Sequence, residues 1–356
     1  MRLRPRGTPA IKTAELNYEL HPELIAQHPL DRRDAARLLV LHRDNGRLEH
    51  RVFADLPEYL SPADCLVLNR SRVLPARFVA RRATGGRIPG LFVKEASAGR
   101  WQVLLTGAGR LRAGETLTLE GGPWKMTLQQ CLGRGHCELT IDPPDGAMTV
   151  LERVGAMPLP PYIRRDTPDD ELAKFDREQY QTIYAAEPGS VAAPTAGLHF
   201  TPELLEKIRA AGTQIVEVLL HVGLGTFQPI EVEDLKDHRM HMEQFNISSE
   251  AVAAVKSCKQ RGGRIVAVGT TSVRVLEAAG AGGRLEPGSS WTDIFIYPPY
   301  SCQVVDALVT NFHLPGSTLL ALVMAIAGRE QTLRAYHAAI EQRYRFYSYG
   351  DAMLIV

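Results

Sequence analysis

The stretch Thr201-Pro-Glu-Leu-Leu-Glu-Lys-Ile-Arg-Ala-Ala-Gly-Thr-Gln-Ile-Val-Glu-Val-Leu-Leu220 decides the fold class, because a helix and a strand follow each other in it with clear boundaries. Thr201 is a favoured N-cap residue, and Pro202 suits the first helical position, where an N–H has no partner inside the helix. Gly212 predicts the end of that helix, and the apolar run from Gln214 to Leu220 predicts a strand. The unit is typical of an α/β protein.

The same signals recur on both sides of this unit. Downstream, helices are predicted from Ser248 or Ser249 to Gln260, over Ser272 to Ala279, from Ser317, and from about Gln331 to Arg343. Downstream strands are predicted over Arg264 to Val268, Asp293 to Ile296 and Asp306 to Phe312. Upstream, strands are predicted over Arg37 to His42, over Arg47 to Phe53 after a hairpin signal at Asp44-Asn-Gly46, and over Cys65 to Leu68.

The segment from about residue 77 to about residue 154 interrupts this pattern. Glycine and threonine become more frequent, helical periodicity disappears, and short alternating runs are separated by turns that contain glycine. These features predict a small all-β barrel. Met157-Pro-Leu-Pro-Pro-Tyr-Ile163 then predicts a rigid return linker. We therefore expect an α/β (α+β) main domain, made of residues 1–76 together with 155–356, and an inserted β-barrel domain at 77–154.

Composition excludes several classes of protein. The 356 residues are 45% hydrophobic and carry a formal net charge of +1, so a surface that binds a polyanion has to be local. The most apolar stretch, Thr318 to Ala327, has about half of the ~20 residues that a membrane span needs, and Met1 to Ala10 is followed by no apolar signal region. Five cysteines without a C-x-x-C pair predict a reducing cytosol, no disulfide framework and no structural metal.

Arginine dominates the basic residues. Eight of the 41 basic residues are lysine, which leaves 33 arginines. Arginine binds phosphate in bidentate fashion and stacks on bases, so arginine clusters are candidate nucleic-acid contacts, although codon bias gives the same composition. The clusters are Arg70, Arg72, Arg77, Arg81 and Arg82; Arg164 and Arg165; and Arg343 with Arg345. The last pair lies among Tyr344, Phe346, Tyr347 and Tyr349, a pattern typical of single-strand binding but also of a helix end that packs its rings.

Three blocks combine glycine, threonine and a histidine or arginine where a predicted strand meets a loop or helix. They are Val191-Ala-Ala-Pro-Thr-Ala-Gly-Leu-His-Phe200, His221-Val-Gly-Leu-Gly-Thr-Phe227 and Val268-Gly-Thr-Thr-Ser-Val-Arg274, with Asp306-Ala-Leu-Val-Thr-Asn-Phe-His-Leu-Pro315 close behind. Small residues let a ligand approach the backbone, and hydroxyls and amides orient it. The blocks predict one composite pocket. The sequence has no phosphate-binding loop, no complete dinucleotide fingerprint and no nucleophile elbow.

These blocks, together with Tyr180-Gln-Thr-Ile-Tyr184 and Tyr344-Arg-Phe-Tyr-Ser-Tyr-Gly-Asp-Ala-Met353, resemble the S-adenosylmethionine:tRNA ribosyltransferase-isomerase family of queuosine biosynthesis. Leu20 to Gln27, Arg33 to Val40 and Asn69 to Arg77 extend the resemblance, which covers the chain from about Leu16 to its end. Two departures stand out. Pro299 occupies a position where the family more often has glycine, and the first ~13 residues have no counterpart.

The resemblance implies an enzyme that donates the ribosyl part of S-adenosylmethionine to 7-aminomethyl-7-deazaguanine at the tRNA wobble position. The product would be epoxyqueuosine, with adenine and methionine released. The positive sulfonium acidifies the neighbouring 5′ carbon, so a general base starts the reaction and adenine leaves as the ribose ring opens. No cofactor beyond S-adenosylmethionine is implied. The partners would be the tRNA anticodon loop and this co-substrate, and the protein would be a cytoplasmic monomer.

This chemistry assigns roles as hypotheses. The proton-transfer residues would be His199, His221 and His313, with Asp306 or Glu217 orienting them. The residues that bind the sulfonium nucleoside would be Thr195, Ala196, Gly197, Gly223, Gly225, Thr226, Thr270, Thr271, Ser272, Arg274 and Asn311. Arg274 would take the substrate carboxylate or a tRNA phosphate. The tRNA contacts would be Arg70, Arg72, Arg77, Arg164, Arg165, Arg343 and Arg345.

Two other functions stay open. A non-catalytic RNA-binding protein would keep the barrel and the arginine clusters, but it would not need the Gly/Thr/His blocks. A methyltransferase would use the same co-substrate and would leave S-adenosylhomocysteine. Such an enzyme normally has a glycine-rich loop after its first strand, and no such loop follows Arg37 to His42.

Overall fold

A computed structural model describes residues 11–165, 170–223, 225 and 229–356. The strands are β1 Arg37–Leu41, β2 Leu48–Val52, β3 Cys65–Asn69, β4 Ser71–Val73, β5 Arg77–Arg82, β6 Arg87–Ser97, β7 Arg100–Leu105, β8 Thr116–Leu119, β9 Lys125–Gly133, β10 His136–Asp142, β11 Glu187–Ser190, β12 Gln214–Leu220, β13 Glu243–Ile247, β14 Ile265–Val268, β15 Gly288–Thr292, β16 Ala307–Asn311 and β17 Ala352–Ile355. The α-helices are α1 Ala147–Val154, α2 Asp170–Gln179, α3 Pro202–Ala210, α4 Ser249–Gln260, α5 Gly269–Ala279, α6 Thr318–Ala327 and α7 Arg329–Glu341. Short 3-10 helices include Phe53–Tyr59 and Thr195–His199.

A nine-stranded mixed sheet forms the centre of the main body. Its strand order is β15-β13-β12-β3-β14-β16-β17-β1-β2, and the four neighbours β12, β3, β14 and β16 run parallel. β3 is buried along its whole length, which explains why Cys65 to Leu68 form a continuous apolar run rather than an alternating pattern. The carboxyl ends of these four parallel strands therefore meet at one edge of the sheet.

Both faces of the sheet are covered. One face packs against apolar residues of α4, α5, α6 and α7, among them Val255, Val273 and Val323. The other face packs against α3 and the 3-10 helix Phe53–Tyr59 through residues such as Leu205 and Phe53. The N-cap of α3 is Thr201, whose side chain accepts a hydrogen bond from the Leu204 N–H at 3.2 Å. The helix and strand that the opening stretch predicted are confirmed.

A closed six-stranded antiparallel barrel contains β5 to β10 in the order β10-β7-β6-β5-β8-β9. Its core is separate from that of the sheet and is built around Trp101 and Phe92. The mixed α/β body with an inserted barrel confirms the predicted fold class, while the domain boundaries at 76/77 and 154/155 stay a prediction. α1 was not expected in this segment, and it packs Val150 and Leu151 onto the barrel core.

The chain enters and leaves the barrel at a single place. The backbone groups of Arg77 and Ala156 bond to each other in both directions, at 3.0 and 2.7 Å. Gly155 lies so close to the chain segment that enters the barrel that a Cβ atom on Gly155 would stand 1.9 Å from the carbonyl oxygen of Pro75. Only glycine permits this approach.

The structure corrects two further expectations. Residues 293–296 are not a strand; the edge strand is Gly288–Thr292, whose backbone pairs with β13. The expected absence of disulfides is wrong for one pair, since Cys131 and Cys137 are bonded across the β9–β10 hairpin. Spacing rules missed this pair because the hairpin turn, not a C-x-x-C motif, brings the two residues opposite each other.

Within the described parts of the chain no helix has the length and apolarity to cross a membrane.

Candidate active site

A cavity of about 190 Å³ opens where the parallel strands end. Ligand sites of open α/β sheets lie outside the carboxyl ends of the strands, as this one does. The predicted blocks converge here because each follows or flanks such an end: β12 precedes Val222, β14 precedes Gly269, and β16 precedes Phe312. The described wall residues are Tyr162, Ala193, Pro194, Thr195, Ala196, Val222, Pro229, Gly269, Thr270, Thr271, Thr310, Asn311, Phe312, His313, Leu314, Pro315, Ser317, Leu319, Tyr347 and Ser348.

Several predicted binding residues line this cavity. Thr195 and Ala196 come from the first block, Thr270 and Thr271 from the first turn of α5, and Asn311 from the end of β16. No loop separates β14 from α5, which begins at Gly269 with a φ of +83° that favours glycine. The helix therefore points its amino-terminal end at the cavity.

Asn311 joins three parts of the site through one buried side chain. Its Oδ1 accepts a hydrogen bond from the Thr195 hydroxyl at 2.8 Å, and its Nδ2 donates to the carbonyl of Tyr347 at 3.3 Å. Nδ2 also lies 3.2 Å from Nε2 of His199. Because the amide nitrogen can only donate, Nε2 of His199 is an acceptor and the ring is neutral.

His199 lies behind Asn311 rather than on the cavity wall. Its ring is buried beside Phe53, with ring centroids 4.9 Å apart. Burial lowers the pKa of His199 to about 3, and the nearby guanidinium groups of Arg345 and Arg33 add to the shift. This position suits a residue that holds Asn311 in place, whereas direct proton transfer to a ligand in the cavity would have to pass Asn311.

Of the three predicted proton-transfer histidines, His313 is the one on the cavity wall. Its Nε2 shares a hydrogen bond of 2.7 Å with the Thr310 hydroxyl, and its backbone N–H donates to the Tyr336 hydroxyl at 3.0 Å. Burial lowers the pKa of His313 to about 3. The imidazole is therefore neutral near pH 7, and burial disfavours its protonated form.

His221 directly precedes the wall residue Val222 and is half-buried. Its Nδ1 has no hydrogen-bond partner within the described parts of the chain. The ring lies against Gly189, where a Cβ atom would stand 2.5 Å from it. Burial lowers the pKa of His221, and the charge of Glu187 opposes the shift. The structure thus places His221 beside the cavity and not in it.

Arg274 is buried and forms an ion pair, while its Nη2 has no hydrogen-bond partner within the described parts of the chain. Its Nη1 pairs with Oε2 of Glu243, whose Oε1 accepts a hydrogen bond from the Gly223 N–H at 2.8 Å. Its Nε donates to the carbonyl of Ile294 at 3.3 Å. The pair holds the start of the second block, and Arg274 does not reach the cavity wall. Its role as carboxylate or phosphate partner stays a prediction.

Other predicted residues also lie away from the cavity. Asp306 stands at the opposite end of β16, where its carboxylate binds Lys259 at 2.6 Å and the Ile265 N–H at 2.7 Å. A five-residue strand is about 16 Å long, so Asp306 cannot orient His313. Glu217 is exposed on β12. Ser272 donates to the carbonyl of Val268 inside the helix, and Gly197 and Gly225 pack against Tyr184 and His241. Thr226 lies outside the described residues.

Several wall residues were not among the predicted binding residues, and three of them come from two segments to which no binding residue was assigned. Tyr162 belongs to the proline-rich linker, and Tyr347 and Ser348 belong to the C-terminal aromatic segment. The Tyr162 hydroxyl is 2.7 Å from the Ser348 hydroxyl, and the two tyrosine rings have centroids 4.7 Å apart. Tyr347 has a φ of +70°, a conformation that costs energy for a non-glycine residue and that clusters at functional sites. The aromatic spacing was the available signal, but it also fitted ring packing.

A basic groove of about 670 Å³ separates the barrel from the proline-rich linker. Arg77, Arg134, Arg164 and Arg165 line it. Arg77 and Arg164 are exposed, whereas Arg165 forms a bidentate pair with buried Asp176 at 2.7 Å. Of the remaining predicted tRNA contacts, Arg72 and Arg343 are exposed, Arg70 lies 3.6 Å from Glu187, and Arg345 donates to the carbonyl of His28. Arg134 was missed because it stands alone in the sequence.

The chain has close relatives among known proteins. The sequence profile of a family described as queuosine biosynthesis protein matches residues 13–355. Proteins named S-adenosylmethionine:tRNA ribosyltransferase-isomerase match from Desulforamulus reducens, at 48% identity over 97% of this chain and 100% of the relative, and from Symbiobacterium thermophilum, at 49% identity over the same shares. Among the residues that the structure describes, no three His, Cys, Asp or Glu side chains are grouped to hold a metal ion.

A solved structure is also similar. The crystal structure of S-adenosylmethionine tRNA ribosyltransferase from Thermotoga maritima at 2.00 Å resolution is 40% identical, covers 96% of this chain and 100% of its own, and has a TM-score of 0.56. Identity and coverage at these levels extend over the sheet, the barrel and the cavity. The chain belongs to the queuosine biosynthesis protein family.

Proposed function

We propose that the enzyme transfers and isomerises the ribosyl group of S-adenosylmethionine onto 7-aminomethyl-7-deazaguanine at the wobble position of a tRNA. The product is epoxyqueuosine-tRNA, and adenine and methionine are released. The observation that carries the proposal is the convergence of the three blocks and of the segment from Asp306 to Pro315 on one cavity at the carboxyl ends of the parallel strands.

The walls suit a nucleoside with a positive sulfonium. Apolar and aromatic residues such as Phe312 and Tyr347 provide surface for the base and ribose, and the hydroxyls of Thr195 and Thr310 provide hydrogen bonds. No arginine or lysine stands among the described wall residues, so a cationic centre meets no like charge there. This composition supports binding of the sulfonium co-substrate.

His313 is the residue we propose for proton transfer. It accepts the proton from the 5′ carbon, the ribose ring opens, and adenine departs as an anion. Because burial disfavours the imidazolium ion, proton transfer is concerted with ring opening, so that the negative charge developing on adenine offsets the positive charge on the ring. His313 then returns the proton to adenine. The acceptor amine adds to the opened sugar and loses one proton to solvent. Closure of the carbon ring leaves an alkoxide, which forms the epoxide as the C–S bond breaks and methionine departs.

The return linker connects the cavity with the basic groove. Tyr162 lies on the cavity wall, and Arg164, two residues later, lies on the groove. An anticodon stem held through its phosphates in the groove would therefore present a loop base towards the cavity. This arrangement supports tRNA as the acceptor. We further propose that the protein acts as a monomer in the cytoplasm, where its tRNA substrate occurs.

The test uses the purified chain with S-adenosylmethionine and a tRNA that carries 7-aminomethyl-7-deazaguanine. Mass spectrometry of the small molecules and of the digested nucleosides should find adenine, methionine and epoxyqueuosine in equal amounts. Formation of S-adenosylhomocysteine would instead establish methyl transfer, and tight tRNA binding without turnover would establish an RNA-binding protein. Light scattering of the free protein tests the monomer.

A further inference from the structure

The first turn of α5 brings hydrogen-bond donors to the cavity wall. The first N–H groups of a helix have no partner inside the helix, and the helix dipole places partial positive charge at this end. The N-cap residue of α5 is Val268, whose hydrocarbon side chain cannot accept a hydrogen bond. Side-chain oxygens cap α3, α4 and α6 instead, through Thr201, Ser248 and Ser317.

An independent observation at the same place indicates a ligand. The side-chain hydroxyl of Thr271 is buried, the residue is only 8% exposed, and Oγ1 has no hydrogen-bond partner within the described parts of the chain. Thr271 is a cavity-wall residue, and its Oγ1 would lie 3.4 Å from a Cβ atom at Gly269, directly over the start of the helix. A buried hydroxyl normally has a partner, so a bound acceptor would complete this one.

The sign of the ligand charge follows from the surroundings. The described wall contains neither a carboxylate nor a cationic side chain, so the end of α5 is its positive feature. Arg274, the residue expected to bind the substrate carboxylate, is already paired with Glu243. Of the arginines predicted to contact tRNA, Arg77, Arg164 and Arg165 line the separate groove, and none stands on the described cavity wall.

We propose that the first turn of α5 is a carboxylate subsite for the amino-acid portion of the sulfonium co-substrate. The Thr270 and Thr271 N–H groups and the Thr271 hydroxyl donate to the two carboxylate oxygens. This subsite rests on the proposed function, because it takes S-adenosylmethionine as the occupant of the cavity. It fixes which end of the molecule lies at α5 and leaves the sulfonium and ribose to face His313.

Calorimetric titration with two probes tests the subsite. The probes are S-adenosylmethionine and its decarboxylated form, which lacks only the carboxylate. The wild-type protein should bind S-adenosylmethionine at least tenfold more tightly. Thr271→Val should weaken binding of S-adenosylmethionine about tenfold and leave binding of the decarboxylated probe unchanged, since a hydrogen bond to a charged group is removed only with the first probe. Thr271→Ser should restore wild-type affinity.

Thr318→Val is the matched control. Thr318 is likewise buried in the first turn of a helix and has an unpartnered hydroxyl within the described chain, but it is not on the cavity wall. Its variant should bind both probes like the wild type. Equal weakening of both probes by Thr271→Val, or of neither, overturns the subsite, as does a loss confined to tRNA affinity. If the wild type transfers ribose while Thr271→Val behaves in one of these ways, only the subsite fails. If the wild type does not bind S-adenosylmethionine, both proposals fail.

Discussion

Asn311 donates a hydrogen bond from Nδ2 to Nε2 of His199 across 3.2 Å, and this bond joins the end of β16 to the first Gly/Thr/His block. The same amide accepts from Thr195 and donates to the Tyr347 carbonyl. One buried side chain thus fixes three segments that are far apart in the sequence. The geometry of the cavity depends on all of its hydrogen bonds being present.

Asn311→Ala should disrupt the cavity. Three hydrogen bonds are removed and buried partners are left unsatisfied, so we expect the free energy of unfolding to fall by about 2–3 kcal/mol and single-turnover ribosyl transfer to fall about 100-fold. Urea unfolding and rapid-quench assays measure the two effects. Asn246→Ala, which removes a hydrogen bond to Ser289 at the sheet edge, should change turnover little. A variant at Asn311 with wild-type turnover would contradict the assigned function of the amide.

Substitution of the histidines should reduce the rate of ribosyl transfer by amounts that depend on their position relative to the cavity. His313→Gln removes the imidazole on the cavity wall, and we expect single-turnover transfer to fall 100-fold or more while affinity for S-adenosylmethionine changes less than about threefold. His221→Gln should have a smaller effect on the rate, because His221 lies beside the cavity. Both variants are compared under saturating co-substrate. If His221→Gln were the slower enzyme, the proton transfer would have to be assigned to His221.

Acid should destabilise the protein through its buried histidines. The pKa of His313 is held at about 3 by burial, against an ordinary value of 6.5. Between these values the unfolded chain binds more protons than the native one, so stability is present above pH 6.5 and is lost as the pH falls towards 3, by about 1.4 kcal/mol per pH unit for one such group. Urea midpoints at pH 6.5 and 4.5 should differ less in His313→Gln than in the wild type. His337→Gln, on the exposed side of α7, should keep the wild-type difference; equal differences in all three proteins would contradict the prediction.

Removal of one partner of the Arg274–Glu243 pair should lower the free energy of unfolding more than replacement of both partners by apolar residues. Glu243→Ala leaves a buried guanidinium without its carboxylate and frees the Gly223 N–H, so we expect a loss of about 3–5 kcal/mol in unfolding free energy. The double variant Glu243→Leu with Arg274→Met removes both charges and should lose less than Glu243→Ala alone. Denaturant unfolding of the three proteins measures this. A double variant that is less stable than the single one would show that the pair itself is strongly stabilising.

The groove arginines should set the salt dependence of tRNA binding. Arg77→Ala and Arg164→Ala should each weaken tRNA binding several-fold and reduce the slope of log affinity against log salt by about 1 for each phosphate that the variant no longer neutralises. Arg82→Ala is the control, because Arg82 is paired with Glu115 on the barrel at 2.6 Å. Filter binding over a range of salt concentrations measures the slopes. Unchanged slopes for Arg77 and Arg164 would place the tRNA elsewhere.

Local signals in the sequence predicted most helices and strands. The features that they missed depend on pairing between strands that are distant in the sequence. The N-cap Thr201, the stop at Gly212 and the apolar strand that follows made that unit predictable. The strand expected at 293–296 failed because Gly288–Thr292, a polar stretch, gains its structure from edge pairing with β13. The cysteine pair at 131 and 137 likewise depends on a hairpin register that spacing does not reveal.

The site was predictable as a group of blocks but not as individual side chains. Thr195, Thr271 and Asn311 follow strand ends, so their convergence could be inferred from the blocks. The direction and the partner of each side chain could not be inferred. Arg274 pairs with Glu243, and Asp306 lies at the amino-terminal end of β16, away from the cavity. Residue type and position in a motif do not reveal on which face of a helix or strand a side chain lies. That information comes only with the register of the sheet.

The two ends of the barrel segment meet at Arg77 and Ala156, whose backbones are bonded to each other. Since the barrel leaves the chain and returns to it at adjacent, mutually bonded residues, with Gly155 against the carbonyl of Pro75, its removal would leave two ends that a short turn can join. The remaining polypeptide would not have to change its path. None of the described wall residues of the cavity lies between Arg77 and Ala156, so a different barrel joined at this point would leave all of those wall residues in the chain.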